Sequence, residues 1–486
     1  MNRSIKILSS LLLLSLMVAC NGYLEKKPRA LLTPDKVFKD STGVIATLAS
    51  AYRVMHRFDY YGRDIMLMGD VLADNARIAV NTGRYTTHIN NQIFSHYAYW
   101  GGAPYEAINL ANFVIEESAN PTVRMSEPLR NRLRAEALFI RALCHHDLLR
   151  AYSYEPANAS GFNLGVILRK KPTRGLSDAE GQARATVQES YDFVIADLQE
   201  AISLFTALGT NVSFPYRANK AAAEALLARV YLYAGKFAEA ADMAETALNT
   251  VDNQAPPKAV LTTAANHRAA FAATPHPESI FELDINPADW SSVDGVNNSC
   301  ASWTRSTSSS LPLPGPGPVY AIAASNTLSN AFPAGDSRIS GANSVWAPAG
   351  GFLECLKWRG DKGGFVENIP VIRYAEVVLI QAEGRARSGN DDDARDAVNR
   401  IRTNRGLSAA PATLTGAALI NEIMLQRRLE LAFEGHRFFD LKRLGLPIAK
   451  DPAQGSALAA SDPRVLSFIP TTEITLNPKL VQNPGY

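Results

Sequence analysis

Six ionisable side chains lie close together near the C-terminal end of the sequence, beside apolar residues that predict a buried helix. They are Arg427, Glu430, Glu434, His436, Arg437 and Asp440. On a helical wheel, the first arginine and the two glutamates fall within an arc of roughly 60° beside Ile423. Charges so close to a buried face must be paired, because an unpaired buried charge strongly destabilises a fold. The segment therefore predicts acid–base chemistry or a structural ion network. Its arginine and glutamate content favours the network, with the six residues paired internally to join the last helices.

One histidine pair stands next to a carboxylate, His145-His146-Asp147, and has the composition of a metal site. Adjacent residues of a helix point about 100° apart, so they cannot bind one ion as histidines at positions i and i+4 do. The sequence contains no GxSxG elbow, no glycine-rich phosphate loop and no CxxC pair. We therefore expect structural roles for these residues, no bound metal and no cofactor.

Tyrosine and tryptophan residues occur in segments that have few helix formers and many Ser, Asn, Gly or Pro residues. The candidates for ligand contact are Tyr60, Tyr61, Trp100, Trp290, Trp303 and Trp346. Pyranose rings carry apolar C–H faces that stack on aromatic planes, while their hydroxyls bond to polar side chains. These residues therefore predict carbohydrate binding, although the same rings would also fill gaps over a helical body.

Helical periodicity accounts for much of the remaining chain and predicts a mainly α fold. The predicted helices span residues 33–57, 102–118, 129–152 and 186–205. The apolar pattern that begins at Ile420 predicts a further helix that ends at Gly435, in the left-handed conformation typical of a C-terminal cap. A second short helix is expected to follow and to end at Gly445.

A helix–turn–helix pattern occurs twice, and the second copy lies 154 residues after the first. Ala228, Gly235 and Ala240 of the first copy correspond to Ala382, Gly389 and Ala394 of the second. This spacing resembles the tetratricopeptide repeat, in which small residues let two antiparallel helices approach closely. We expect two such hairpins within a larger helical body. The helices predicted at 129–152 and 186–205 are candidates for a third pair with an expanded turn.

Two regions depart from the helical pattern. Residues 251–365 are rich in Ser, Asn, Gly and Pro and contain one predicted strand, at 279–285. Loops this long inside a compact protein usually serve a function, so this insertion is the candidate ligand-binding region. Residues 465–486 contain few helix formers and predict an extended chain laid over the surface.

The N-terminus has the features of a bacterial signal peptide. Positively charged residues precede the apolar run 7–18, and Ala19 lies directly before Cys20. A run of about a dozen residues is too short to span a bilayer and is typical of a signal-peptide core. The string MVAC, residues 17–20, resembles a lipobox, in which a peptidase cuts before the cysteine and lipid is attached to its sulfur. An ordinary secretory signal with an incidental cysteine is the alternative.

Composition narrows the class of protein. The chain has 486 residues, of which 47% are hydrophobic, and a net charge of +2. Because basic and acidic residues are nearly equal in number and no run of basic residues occurs, nucleic acid is not expected as a partner. After Cys20 three cysteines remain, and an odd number excludes a fully paired framework. Cys144 is expected to be a buried thiol, whereas pairing of Cys300 with Cys355 stays open.

Several segments together resemble the SusD/RagB family. They are the lipobox Cys20, Tyr105–Glu117, Ala135–Tyr152, Ile372–Arg387, Arg427–Gly445 and Phe468–Tyr486. The resemblance spans nearly the whole chain after Cys20 and leaves 251–365 without a motif. It implies lipidation of Cys20 and an α-helical body with tetratricopeptide-like hairpins, whose scaffold around Gly235 and Gly389 faces a transporter.

The resemblance also implies a function. Members of this family are outer-membrane surface lipoproteins without catalytic residues. They bind oligosaccharides, or peptides in the RagB-like branches, and lie as a lid on a SusC-like TonB-dependent transporter. The alternatives are a surface glycoside hydrolase, which needs two carboxylates about 5 to 10 Å apart in a cleft, and a scaffold for protein contact alone. The sequence singles out no such carboxylate pair.

The resulting division of the chain has five parts. We expect a signal peptide at 1–19, an N-terminal helical region at 20–250, the loop-rich insertion at 251–365, a C-terminal helical region at 366–450 and an extended tail at 451–486.

Overall fold

Helices dominate the fold, as the sequence predicts, and the strands are few and short. The structure is a computed structural model and describes residues 37–91, 100–159, 161–175, 180–209, 215–254, 256–287, 294–300, 321–349, 351–452 and 454–486. The predicted signal peptide, Cys20, Trp290 and Trp303 lie outside these residues.

The helices confirm the predicted fold class. They are α1 (Ser41–Met55), α2 (Asp64–Val71), α3 (Thr86–Ile89), α4 (Ala103–Ala119), α5 (Glu127–Tyr152), α6 (Val187–Ala207), α7 (Lys220–Tyr233), α8 (Phe237–Asp252), α9 (His267–Ala272), α10 (Asn297–Cys300), α11 (Asn326–Ser329), α12 (Tyr374–Arg387), α13 (Asp391–Asn404), α14 (Gly416–Glu430), α15 (Arg437–Arg443) and α16 (Thr471–Leu476). Helices α4, α5 and α6 match three of the predicted segments.

The strands form two small antiparallel sheets in the part of the chain that the structure describes. They are β1 (Ala76–Ile78), β2 (Ser279–Leu283), β3 (Ile322–Ala324), β4 (Trp346–Ala349), β5 (Phe352–Cys355) and β6 (Ile369–Arg373). One sheet has the order β1-β3-β5-β4, and the other pairs β2 with β6. Strand β2 confirms the predicted strand, whereas β3, β4 and β5 are too short for an alternating pattern to reveal them.

The two predicted helix hairpins are present. They are α7–α8 and α12–α13, and each helix of the second pair begins 154 residues after its counterpart. Gly235 and Gly389 occupy the two turns with φ of +74° and +83°, a conformation that glycine adopts without strain. The hairpins pack on each other through α8 and α12, where a Cβ on Gly384 would lie 2.6 Å from the carbonyl oxygen of Phe237.

Helices α5 and α6 pack side by side, as expected for the third pair. Arg141 donates to Asp197 at 2.7 Å and Arg134 donates to Glu200 at 2.6 Å. The later arginine binds the earlier carboxylate, so the two helices run in opposite directions. A capping box at Thr186 starts α6 and satisfies backbone donors of its first turn.

Helix α14 ends at Glu430, earlier than the predicted end at Gly435. The reason lies in donors from distant residues. Lys357 Nζ donates to the carbonyl of Glu430 at 2.7 Å, and Trp358 Nε1 donates to that of Phe433 at 2.8 Å. Carbonyls at a helix end need such partners, and these let the chain leave the helix early. Gly435 keeps a left-handed conformation, with φ of +80°, but in the turn that follows the helix.

The C-terminal tail is less extended than predicted. It contains the short helix α16, and it buries Leu466 and Ile469 in the apolar core. The backbone N–H of Ser467 donates to the carbonyl of Ala151 at 2.9 Å. Spaced apolar residues of the tail thus attach it to the end of α5. Among the described residues, the helices are too short or too polar to cross a membrane.

Candidate functional site

The ionisable residues near the end of α14 belong to a buried ion network. Arg405 donates from Nε and Nη2 to the carboxylate of Glu430 at 2.9 and 2.8 Å. Arg373 donates to Glu278 at 2.6 Å in the same network. Burial alone would raise the pKa of Glu430, but Arg405, with His267 and Arg373 close by, lowers it well below its usual range. Such paired charges hold chain segments together.

Arg427 binds a different carboxylate from the one that its spacing suggests. The i,i+3 relation points to Glu430, whereas Arg427 donates from Nε to Asp440 at 2.8 Å. Asp440 also accepts from Arg443 at 2.9 Å. The turn after α14 brings α15 back against it, so the expected pair is replaced by a link between the two helices.

Other residues of this segment bind partners far away in the sequence. Glu434 accepts from Lys357 Nζ at 2.6 Å, and Arg437 donates to Asp74 at 2.7 Å. His436 is buried, and burial together with neighbouring guanidinium groups lowers its pKa well below the usual range. The predicted internal pairing is therefore corrected: most partners come from outside the segment. Among the described residues the network is largely buried, and the cavity beside Glu434 and His436, of about 10 Å³, is too small for a substrate.

The predicted ligand residues Tyr60 and Tyr61 are buried in the helical body. Their hydroxyls both donate to Asp147 Oδ2, at 2.6 and 2.8 Å. Burial, with the charge of Asp147, raises the pKa of both tyrosines well above the usual range. Asp147 therefore has a structural role, and the two rings have no face open to a sugar.

The histidine pair is also part of the packing. His145 Nδ1 lies 2.8 Å from the carbonyl of Arg141, and burial lowers the pKa of His145 to about 3. His146 lies edge-on to Tyr233, with ring centroids 5.1 Å apart. Within the described residues, no cluster of His, Cys, Asp and Glu is arranged to hold a metal ion.

Trp100 and Trp346 are buried as well, with 4% and 1% of their surface exposed. Trp100 lies edge-on to Tyr152 at 4.8 Å, and Trp346 lies edge-on to Phe433 at 5.1 Å. Large rings gain more from such packing than from exposure, and their loop context does not reveal which way they face. Of the six predicted aromatic residues, Trp290 and Trp303 lie outside the described residues, and their role stays a prediction.

The three cysteines of the described residues are buried free thiols. Burial raises the pKa of Cys144, Cys300 and Cys355. Buried thiols of this kind are chemically inert.

An open cleft of about 500 Å³ lies where the loop after α5, the end of α15 and the C-terminal tail meet. We call it the C-terminal cleft. Its lining includes Tyr154, Asn158, Phe162, Lys442, Ser461 and Pro484. Its volume lies within the range of small-molecule sites. The length of the loop that follows α5 is a signal that could have pointed to this region, but the walls come together only in the folded chain.

Hydrogen bonds between distant segments hold the walls of this cleft. Asn158 Nδ2 donates to the carbonyl of Arg443 at 3.1 Å. Lys442 Nζ donates to the carbonyl of Ser153 at 2.6 Å and lies 3.0 Å from the carboxylate of Glu155. Burial lowers the pKa of Lys442, and the Glu155 charge opposes this shift. The cleft therefore has fixed walls and a paired charge at its base.

Comparison with known proteins gives matches at both ends of the chain. A family model described as the SusD family matches residues 357–486, and one described as starch-binding associating with outer membrane matches residues 22–232. A SusD-like protein of Formosa agariphila is 27% identical, with 98% of each chain covered.

Solved structures share the fold. A SusD superfamily protein from Bacteroides vulgatus superposes with a TM-score of 0.78 at 25% identity, covering 92% of this chain and 100% of that one. A laminarin-binding SusD-like protein superposes with a TM-score of 0.69 at 21% identity, with the same coverage of both chains. The second likeness establishes the fold alone.

Proposed function

Because this chain is a SusD-like family protein, we propose that it captures oligosaccharides at the bacterial cell surface and delivers them to a SusC-like TonB-dependent outer-membrane transporter. The observation that carries this proposal is the pair of SusD-type matches, at residues 22–232 and 357–486. The starch-binding description of the first match supports carbohydrate as the ligand class.

Cys20 supplies the outer-membrane anchor in this proposal. Its place after Ala19 and an apolar run supports cleavage before the cysteine and attachment of palmitate-type acyl chains. A single chain binds a membrane only marginally, so stable anchoring requires more than one chain. Replacing Cys20 by Ser is expected to release the protein from the membrane fraction, while a Cys144→Ser control stays bound.

The proposed role is binding without catalysis. A glycoside hydrolase needs two carboxylates on either side of a bound sugar. Glu430 and Glu434, which the sequence marked as acid–base candidates, are instead buried and paired with arginine or lysine. Turnover of any sugar that the protein binds would contradict this part of the proposal.

Trp290 and Trp303 are the aromatic residues that we propose for ligand contact. Both lie in the Ser-, Asn- and Gly-rich part of the insertion, a composition suited to stacking and hydrogen bonding with sugars. A RagB-like peptide-binding role is the alternative, because the same architecture serves both ligand classes in the family.

Glycan-array screening followed by calorimetry tests the ligand class. We expect a glycan to bind and Trp303→Ala to weaken Kd by about tenfold, equivalent to about 1.4 kcal/mol. Trp303→Phe keeps a ring and serves as the matched control. Loss of binding in Trp346→Ala would report disturbed packing, because that ring is buried against Phe433. Binding of peptides without any carbohydrate affinity would select the alternative.

Partnership with the transporter is tested separately. We expect the protein to co-purify with a TonB-dependent transporter from outer membranes of its own host, and to do so when the Trp303→Ala variant no longer binds glycan. Glycan binding without a transporter partner would contradict the delivery role alone.

A further inference from the structure

We propose that the C-terminal cleft, whose lining includes no described residue of the 251–365 insertion, binds a neutral carbohydrate ring. This inference rests on the proposed function for its ligand class and adds a second binding site to it. The chemistry of the cleft walls supports it in four respects: aromatic surface, rigidity, charge and size.

Two aromatic side chains supply the apolar surface. Tyr154 and Phe162 are half-buried and line the cleft. The guanidinium of Arg184 lies 5.4 Å from the centre of the Phe162 ring. That arginine is itself fixed, since it donates to the carbonyls of Tyr152 and Gly165 at 2.8 and 2.7 Å. The Phe162 ring is thus held in a fixed position, and the C–H face of a sugar ring can stack on such a ring.

The tail that forms the opposite wall is fixed to the same arginine. Arg184 donates to Asn483 Oδ1 at 2.7 Å, and Asn483 Nδ2 donates in turn to the carbonyls of Tyr152 and Ser467 at 3.0 and 2.6 Å. Pro484, which lines the cleft, follows directly after this asparagine. A preformed site loses little conformational freedom when a ligand binds.

The charges at the cleft are already paired, which favours a neutral ligand. Lys442 lies 3.0 Å from Glu155, and Arg464 lies 2.5 Å from Asp462 next to the cleft residue Ser461. An anion would compete with these carboxylates for their cations. Neutral hydroxyl groups need only donors and acceptors, and the lining offers the Tyr154 and Ser461 hydroxyls and the amide oxygen of Asn158.

The size of the cleft limits the ligand. A volume of about 500 Å³ is at the lower end of the range for small-molecule sites. It suits one or two sugar rings rather than a long chain. A second site of this kind would hold part of a long glycan while the insertion holds another part, which strengthens capture through effective concentration.

Filling the cleft tests the inference without removing buried contacts. Ala157 is exposed and lines the cleft, so Ala157→Trp places a large ring in it. Ala409 is exposed and absent from the lining, so Ala409→Trp is the matched control. The probes are neutral glucose disaccharides and a disaccharide that contains a uronic acid, measured on the purified protein by saturation-transfer NMR and calorimetry.

We expect neutral disaccharides to bind, Ala157→Trp to weaken their Kd by about tenfold or more, and Ala409→Trp to bind like the parent protein. Unchanged disaccharide binding in Ala157→Trp would overturn the inference about the cleft. The proposed glycan capture would stand in that case, because Trp303→Ala tests it separately. Tighter binding of the uronic acid probe than of the neutral ones would also overturn it. If the parent protein binds no carbohydrate at all, both the inference about the cleft and the proposed glycan capture are refuted.

Discussion

At the scale of single residues, Arg427 has the clearest structural role among the predicted charges. It is fully buried and binds Asp440 at 2.8 Å. We expect Arg427→Ala to lower the free energy of unfolding by about 3 kcal/mol, since breaking a buried pair leaves a charge poorly compensated, although Arg443 still binds Asp440. Urea unfolding measures this, and ligand affinity should not change in the folded variant.

Arg57 provides the control for this prediction. Its side chain is 45% exposed and pairs with Asp59, and exposed pairs contribute about 0 to 1 kcal/mol. If Arg427→Ala and Arg57→Ala unfold at the same urea concentration, the structural role of Arg427 is refuted.

Glu367 makes stability depend on pH near neutrality. Its carboxylate is buried and accepts from the N–H of Gly360 at 2.6 Å, and burial raises its pKa from 4.5 to about 7. The folded state therefore holds the proton more tightly than the unfolded state, and stability is lost as pH rises through this window. Glu367→Gln removes the charge, so above pH 7 it should be more stable than the parent by roughly 3 kcal/mol.

Urea unfolding across this pH range checks the effect of Glu367. Glu239→Gln, an exposed residue of α8, is the control and should leave the profile of the parent protein unchanged. A Glu367→Gln profile that falls as steeply as that of the parent would contradict the assignment.

The burial of single side chains was the part of the site that the sequence did not predict. Tyr60 and Tyr61 have the composition of a ligand site, yet both hydroxyls bind Asp147, which lies 87 and 86 positions away. The composition of a segment indicates which contacts its side chains can make. Whether a side chain is buried depends on which other parts of the chain pack against that side chain in the fold. Tyr154 and Phe162 escaped notice for the converse reason, since the tail that completes their cleft is distant in sequence.

At the scale of elements, the close packing of the two hairpins depends on Gly384. A Cβ at this position would lie 2.6 Å from the carbonyl oxygen of Phe237 and 2.9 Å from the Cβ of Ala241. We expect Gly384→Ala to separate α8 from α12 and to destabilise the protein by about 1 to 3 kcal/mol, as overpacking does. Thermal unfolding measures the loss.

Gly175→Ala is the matched control for the hairpin contact. No heavy atom lies within 4 Å of a Cβ built at Gly175, so an added methyl group should be tolerated or slightly stabilising. Equal melting temperatures for the two glycine variants would contradict the proposed close approach.

The helices of the two hairpins were predictable from sequence, because the same local pattern of small residues occurs twice. The hairpins appear twice at the same spacing, and glycine with positive φ occupies both turns, so pattern and turn chemistry agree. The end of α14 was not predictable, because donors from Lys357 and Trp358 satisfy its carbonyls. The short strand β3 depends likewise on pairing with segments that are distant in sequence, β1 and β5.

At the scale of the whole molecule, buried ion pairs join parts of the chain that are far apart in sequence. Arg229 of α7 binds Glu376 of α12 at 2.6 Å, and Arg443 of α15 binds Glu383 of α12 at 2.6 Å. Acid should therefore weaken several interfaces together, because protonating a paired carboxylate leaves its guanidinium partner buried and unbalanced.

Glu383 allows this acid sensitivity to be assigned to one interface. Burial alone would raise its pKa, but Arg443 lowers it from 4.5 to about 2. Its contribution is therefore complete above pH 4.5 and is lost as pH falls towards 2, by roughly 3 kcal/mol. Glu383→Gln should be less stable than the parent protein at neutral pH and should lose less stability than the parent protein between pH 4.5 and 2. The control is Glu245→Gln, which removes an exposed pair and should give an unfolding profile parallel to that of the parent protein. Parallel unfolding profiles of Glu383→Gln and the parent protein below pH 4.5 would show that the acid sensitivity arises elsewhere.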